Sequence, residues 1–145
     1  MRHLWALLIA GLAGACATNF PPESAPYLAT YRPLEAKPGE VIVYPTAALD
    51  GRLDVVGGCF VVVSDPGVAS LVAFTPQVSV VRRNGRWGLR DDKEGHSVFQ
   101  GDRIGIGGSS ISDTESFFAT RLQSLRPPAT CPRTLFLSNS GFGTR

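Results

Sequence analysis

Short apolar runs separated by glycine, proline and aspartate turns fill most of this 145-residue chain, and they leave few fold classes open to it. The runs follow one another at a spacing of about ten residues, and no helical segment alternates with them regularly. The runs predicted as strands are 40–45, 51–56, 59–63, 70–74, 78–82, 86–90, 97–100, 103–107 and 134–139. This pattern predicts an all-β domain, either a small barrel or a β-sandwich.

One short helix is predicted within the β pattern. The stretch Ser112-Asp113-Thr114-Glu115 has the form of a capping box, which begins a helix by satisfying its first backbone N–H groups. Residues at helical spacing follow, namely Phe117, Phe118, Arg121, Leu122 and Leu125. Pro127 and Pro128 are then expected to end the helix.

The stretch VSVVRRNGRWGLR, residues 78–90, predicts a tight hairpin. Asn84-Gly85 is the preferred pair for a two-residue type I′ turn, because both positions need a positive φ. The resulting register pairs Arg83 with Arg86, Arg82 with Trp87, Val80 with Leu89 and Ser79 with Arg90. One face then carries Val78, Val80, Trp87 and Leu89, where Arg82 can stack on the indole ring.

The first fifteen residues, 1–15, have the layout of a secretory signal peptide. A basic start, Met1-Arg2-His3, precedes the apolar and small residues 4–15. This run is too short for a transmembrane helix, which needs about 20 residues.

Cys16 distinguishes this segment from an ordinary signal. The residues before it, Leu12-Ala13-Gly14-Ala15, resemble the bacterial lipobox, although Ala13 stands where leucine is commoner. The resemblance implies that the thiol is diacylated, that the peptide is cut before Cys16 and that the new amino terminus is acylated, which gives stable membrane anchoring. Ala17 favours the outer membrane by similarity to enterobacterial sorting. The alternative is a plain signal cut near Ala15 or Ala17, with Cys16 incidental.

The segment 16–38 is predicted to be the acylated cysteine followed by a tether, and the segment 39–145 to be the β domain. Five prolines between positions 17 and 38 block helix and ladder hydrogen bonds, which favours an extended chain. The alternative is that this segment packs against the domain through its apolar and aromatic side chains, Phe20, Tyr27, Tyr31 and Leu34.

Charge and cysteine content narrow the class further. The chain has 14 Lys and Arg residues against 12 Asp and Glu, and Arg2 leaves with the signal, so the mature protein is near neutral. Near neutrality argues against nucleic-acid binding. Cys59 and Cys131 remain, and two cysteines in an oxidising compartment favour one disulfide over a metal pair, since the chain has no CxxC motif.

The outer face of the predicted hairpin carries Arg83, Arg86 and Arg90 together. Like charges side by side destabilise a hairpin mildly, so the cluster is either a solvated surface or an anion-binding site. In a bacterial envelope that anion would be a lipid phosphate, lipopolysaccharide or an acidic patch on a partner protein.

The order of GRLDVVGGCFVVV, GDRIGIGGSSI and CPRTLFLSN resembles a family of small secreted or lipid-anchored bacterial β domains, over residues 51–139. The resemblance implies an OB-like small barrel and supports the pairing of Cys59 with Cys131. It transfers no catalytic residue. The segment between Gly108 and Cys131 is longer than the family pattern and carries phenylalanines.

Three stretches resemble phosphate-binding, nucleophile or metal-binding motifs, but in each the neighbouring residues do not match the motif. GIGGSS, residues 105–110, has serine where a dinucleotide-binding fingerprint needs glycine and lacks the lysine of a P-loop, so a glycine-lined turn with closely approaching strands is predicted. Neither Ser109 nor Ser110 has the flanking glycines of a nucleophile elbow. The loop that holds Asp91, Asp92, Glu94 and His96 fits no known metal-ligand spacing and is predicted to be a solvated hairpin loop.

The sequence therefore predicts a non-enzymatic binding or structural domain of the bacterial envelope, without cofactor or metal, joined to membrane lipid through Cys16. Two alternatives stay open. One is a small periplasmic hydrolase or transferase whose residues the fold gathers. The other is a carrier of an apolar ligand in a barrel cavity lined by residues such as Phe60, Phe74 and Phe99.

Overall fold

The computed structural model describes residues 24–43 and 47–144. The elements are β1 (Ala29–Thr30), β2 (Ala47–Val56), β3 (Cys59–Ser64), β4 (Val68–Phe74), β5 (Val78–Arg83), β6 (Arg86–Asp91), β7 (Ser97–Phe99), β8 (Arg103–Ile111), α1 (Thr114–Thr120), β9 (Leu135–Ser138) and β10 (Gly143–Thr144). This architecture confirms the predicted all-β class with one short helix. Over the described ranges, no helix has the length and apolar composition that a membrane crossing requires.

Five strands close into a barrel. β2, β3 and β4 form an antiparallel meander, and β8 pairs antiparallel with β2. β9 closes the ring, because it pairs antiparallel with β8 and parallel with β4. If the five barrel strands are numbered along the chain, their order around the barrel is first, second, third, fifth and fourth. This is the connectivity of an OB-type barrel, which the family resemblance implied.

Successive residues of a strand point to opposite sides of the barrel wall, so their side chains form two separate cores, one inside the barrel and one outside it. The interior core consists of Leu53, Phe60, Val62, Val72, Phe74, Val78, Leu89, Val98, Ile104, Ile106, Phe136 and Phe142. The outer core, between the barrel wall and α1, consists of Ala29, Tyr31, Cys59, Leu71, Ala73, Phe117, Cys131, Leu135 and Leu137. β9 shows the alternation directly, since Phe136 points inward while Leu135 and Leu137 point outward.

The segment between β8 and β9 covers the outer face of the barrel, and its helix is shorter than predicted. Asp113, rather than Ser112, caps the helix by accepting a hydrogen bond from the Ser116 N–H at 2.9 Å. The chain leaves the helix after Thr120, because the next residues form β-type hydrogen bonds with the backbone at residues 30–32. Leu125, predicted to lie on the helix, is 85% exposed.

Residues 27–31 belong to the domain, which corrects the predicted tether through residue 38. The Tyr27 N–H donates to the Gly58 carbonyl at 2.8 Å, and β1 pairs with β4. Ala29 and Tyr31 are buried in the outer core. Prolines lie on both sides of this segment rather than within it, so they bound the short strand without preventing it.

Two further predictions about the strands are wrong. Residues 40–43 of the predicted strand 40–45 form no strand, and Val41 and Val43 are each 84% exposed. Neither valine belongs to one of the two cores, so burial of apolar surface does not hold this run in a sheet. The predicted turn at 105–110 is instead part of β8, although a Cβ at Gly108 would overlap the Leu137 carbonyl, as the predicted close approach requires.

The predicted signal peptide, Cys16 and the residues up to 23 lie outside the described residues, as do residues 44–46.

Candidate anion-binding surface

β5 and β6 form the predicted hairpin with the predicted register. The paired residues are Arg83 with Arg86, Arg82 with Trp87, Val80 with Leu89 and Ser79 with Arg90. Asn84 and Gly85 adopt φ values of 50° and 76°, as a type I′ turn requires. β7 adds a third strand beside β6.

One face of this three-stranded sheet closes an end of the barrel. Val78, Leu89 and Val98 join the interior core. Trp87 packs at the edge of that core, and the Arg82 guanidinium carbon lies 4.8 Å from its ring centroid, which confirms the predicted stacking. The opposite face of the sheet points away from the barrel.

On the outward face, Arg83 and Arg86 cover an aromatic ring. Their guanidinium carbons lie 4.7 and 5.7 Å from the Phe99 ring centroid. Phe99 packs on Gly88, where a Cβ would overlap the ring, so that Phe99 is only 6% exposed. An aromatic ring that covers a strand glycine is a known way to complete sheet packing, and the two arginines shield that ring from water.

The predicted cluster of three arginines is a pair plus one separate residue. Arg86 also donates to the Gln100 carbonyl at 2.9 Å and contacts Asp102 at 3.5 Å. Arg90 lies about 13 Å further along β6. It has its own carboxylate, on Asp92, at 3.4 Å. The two arginines that act together are therefore Arg83 and Arg86, next to the turn.

A second arginine pair was not predicted. Arg52 on β2 lies directly opposite Arg103 on β8. Among the described residues, neither has a carboxylate within 4.0 Å, and Arg52 donates to the Gly101 carbonyl at 2.8 Å. Only the strand register brings these residues together, so no local sequence signal could have revealed the pair.

The surroundings of this second pair carry mixed charge. It separates two depressions of about 270 and 500 Å³. Asp54 and Asp65 line the first depression, and Asp102 lines the second. Asp102 lies near both arginine pairs, but Asp54 and Asp65 lie only beside this one and weaken the attraction of an anion, so the hairpin tip is the better candidate for anion binding.

The loop after β6 is exposed at residues 92–95, as predicted, but Asp91, the last residue of β6, is buried. Asp91 is 1% exposed, and its Oδ1 accepts hydrogen bonds from the N–H groups of Lys93 and Glu94 at 3.0 and 3.1 Å. The Gln77 side-chain amide donates to both carboxylate oxygens at 3.1 Å. The carboxylate therefore organises the loop and links it to the start of β5.

The His96 ring contacts the chain near the end of the protein. Its Nε2 lies 2.6 Å from the Phe142 carbonyl, and its ring packs edge-on against the Phe142 ring. No group of three or more potential metal ligands occurs within residues 24–43 and 47–144.

The environment of Asp91 shifts its titration. Burial alone raises the pKa of this carboxyl, but hydrogen bonds from Glu94, Gln77 and Lys93 and the field of His96 outweigh burial and leave the pKa below its usual value. A carboxyl with a lowered folded-state pKa adds stability above its unfolded pKa of about 3.9. That stability is lost as the pH falls through the folded-state value.

Asp91→Asn should therefore lower the free energy of unfolding at pH 7 by about 1 to 3 kcal/mol, because one amide donor would replace an acceptor. The difference from wild type should shrink as the pH falls below about 4, because the unfolded wild type then takes up a proton that the folded state binds only at lower pH. Denaturant unfolding at pH 7 and pH 3 measures both effects. Asp92→Asn is the matched control, since Asp92 makes only an exposed ion pair and should cost under about 1 kcal/mol. Equal losses for both variants would contradict the assigned role of Asp91.

The barrel face that OB-type domains use for oligonucleotides is covered in this protein. Such domains bind over the outer face of their second and third strands, here β3 and β4. Val61 and Leu71, on that face, are buried. α1 and the chain that follows it occupy the space where a ligand would lie.

Comparison with known proteins gives no relative: no family model, curated protein or solved structure matches the chain. The resemblance to a family of bacterial β domains stays a prediction.

Proposed function

We propose that this protein is a lipid-anchored domain of the bacterial cell envelope, held to the membrane through acylated Cys16, with a non-enzymatic binding or structural role. The observation that carries the proposal is the disulfide between Cys59 and Cys131, which lies in the outer core. Structural disulfides persist in oxidising compartments and are rare in the cytosol, so the bond supports export.

The disulfide is integral to the packing rather than a surface link. It joins the start of β3 to the segment that covers the barrel, across 72 residues of sequence. Beside it, the Thr130 hydroxyl donates to the Gly57 carbonyl at 2.7 Å. A buried bond of this kind fits a compartment in which cysteines are oxidised.

Binding is favoured over catalysis because the candidate catalytic groups make structural contacts. Asp91 binds backbone N–H groups and His96 binds a backbone carbonyl. Arg83 and Arg86, in contrast, present partly exposed cations at a turn, which suits an anionic component of the envelope.

The proposal is tested by the Cys16→Ala variant of the full chain, expressed in a Gram-negative host. The wild type should sediment with membranes and need detergent for release, whereas Cys16→Ala should appear in the soluble fraction. Ala17→Asp is the control that keeps the anchor, and by similarity to enterobacterial sorting it should move the protein from the outer to the inner membrane. A soluble wild type, or membrane-bound Cys16→Ala, would contradict the anchor.

A further inference from the structure

The chain joins the domain beside the tip of the β5–β6 hairpin. Ser24, Ala25 and Pro26 line one depression of about 340 Å³ there together with Gly58, Gly85 and Trp87. The hydrogen bond from the Tyr27 N–H to the Gly58 carbonyl fixes the chain at this position. The first described residues and the hairpin turn therefore share one end of the molecule.

The number of residues before this point limits how far the tip can be from an anchor. Cys16 precedes Ser24 by eight residues, which span at most about 29 Å when fully extended. A tether through residue 38 would have allowed about 79 Å. With β1 packed in the sheet, an acyl chain on Cys16 keeps the end of the domain that holds the hairpin tip and the Gly57-Gly58 turn near the membrane.

The hairpin tip also has the charge that an anionic membrane attracts. Arg82, Arg83 and Arg86 flank the two turn residues, and all three are exposed. The Asp102 carboxylate contacts Arg86 in a half-exposed pair, which a phosphate can replace at little cost. Each arginine near an anionic surface strengthens binding about fivefold.

We propose that the hairpin tip lies against the bilayer that holds the protein's own acyl chains, where Arg83 and Arg86 bind the phosphates of anionic phospholipids. This inference rests on the proposed function, because acylated Cys16 sets the geometry. β2 runs from its end beside the tip, at Val55 and Val56, to Ala47, so the end of the barrel at Ala47 lies away from the membrane. A partner in the periplasm would meet that distal end.

Trp87 allows a direct test, because it is the one tryptophan left once Trp5 departs with the signal, and it lies at the hairpin tip. Acylated protein, with its acyl chains verified by mass, is inserted into phosphatidylglycerol-containing vesicles that carry nitroxide-labelled headgroups. Trp87 fluorescence should be quenched, and Arg83→Gln/Arg86→Gln should reduce the quenching at least twofold. Unquenched Trp87 in protein of verified acylation would overturn the orientation and leave the anchor intact.

A second measurement isolates the tip from the anchor. The mature chain with Cys16→Ala is sedimented with vesicles of pure phosphatidylcholine or of phosphatidylcholine with phosphatidylglycerol. Binding should need phosphatidylglycerol, and Arg83→Gln/Arg86→Gln should weaken it about 25-fold. Arg90→Gln is the matched control, since Arg90 lies about 13 Å from the tip along β6, and should change binding less than twofold.

The second measurement is repeated with added inorganic phosphate and with lipopolysaccharide in place of the vesicles, and three outcomes would overturn the proposal. An equal loss with Arg90→Gln would indicate general charge attraction. Competition by millimolar inorganic phosphate would indicate a phosphate site rather than a membrane surface. Binding only to lipopolysaccharide would place the tip at a different leaflet.

Discussion

Replacing Cys59 and Cys131 together with alanine should lower the free energy of unfolding by about 4 kcal/mol. The bond closes a loop of 72 residues, and an unfolded chain without it gains the corresponding freedom. The melting temperature should fall by about 15 °C, since each kcal/mol corresponds to about 4 °C at this chain length. Thermal and urea unfolding of the mature protein measure the loss.

Loss of the disulfide should loosen one part of the molecule first, namely the segment between β8 and β9 that lies over the barrel. Wild-type protein treated with a reductant should match the double variant, and Cys16→Ala alone should match the untreated wild type. Hydrogen exchange should rise first around Phe117, because α1 is held over the barrel by the segment that the bond secures. Unchanged stability after reduction would mean that the disulfide contributes nothing to this packing.

Phe74→Ala should cost about 3 to 5 kcal/mol, because it removes a large side chain from the interior core. Phe74 is 1% exposed and packs edge-on against Phe142, with ring centroids 6.1 Å apart. Urea unfolding measures the loss. Leu125→Ala is the control, since that side chain is exposed and should change stability by less than about 0.5 kcal/mol.

Phe74→Ala also tests the alternative that this protein carries an apolar ligand. Phe60 and Phe74 pack among the interior side chains, whereas Phe99 lies outside the barrel on the second sheet. A packed interior should bind no apolar fluorescent probe in the wild type, and the cavity left by Phe74→Ala should increase binding. Strong probe binding by the wild type, together with a stable Phe74→Ala, would favour a carrier.

Local sequence rules predicted the hairpin fully. Asn84-Gly85 fixes a two-residue turn, and a two-residue turn fixes every pair that follows along the strands. The Arg82 stacking on Trp87 follows from that register without further information. The short apolar runs between turn residues likewise predicted the β-strands 59–63 and 70–74 of the barrel.

Features that depend on distant pairing were beyond those rules. Arg52 and Arg103 are neighbours only because β2 pairs with β8, and their separation in sequence hides this. The helix ends early because residues after it bond to the backbone near Tyr31, an interaction that helical spacing cannot reveal. The tether prediction relied on proline content, which limits hydrogen bonding only at the prolines themselves.

The burial of Asp91 shows a different limit of prediction from sequence. A run of charged residues predicts a solvated loop because charged side chains are rarely buried. Here three sets of N–H donors satisfy the carboxylate, so its burial is stabilising. A close approach of Gly141, where a Cβ would overlap Asp91, completes that site, and sequence patterns do not record such contacts.

The central claim, an acyl-anchored and disulfide-closed envelope domain, is tested most directly by the intact mass of protein extracted from its native membrane. Thiols are alkylated before and after reduction. We predict a chain that begins at Cys16 and carries a diacylglyceryl group and a third acyl chain, with no thiol alkylated before reduction and two after it. An unmodified chain that begins elsewhere, or two thiols alkylated before reduction, would contradict the claim.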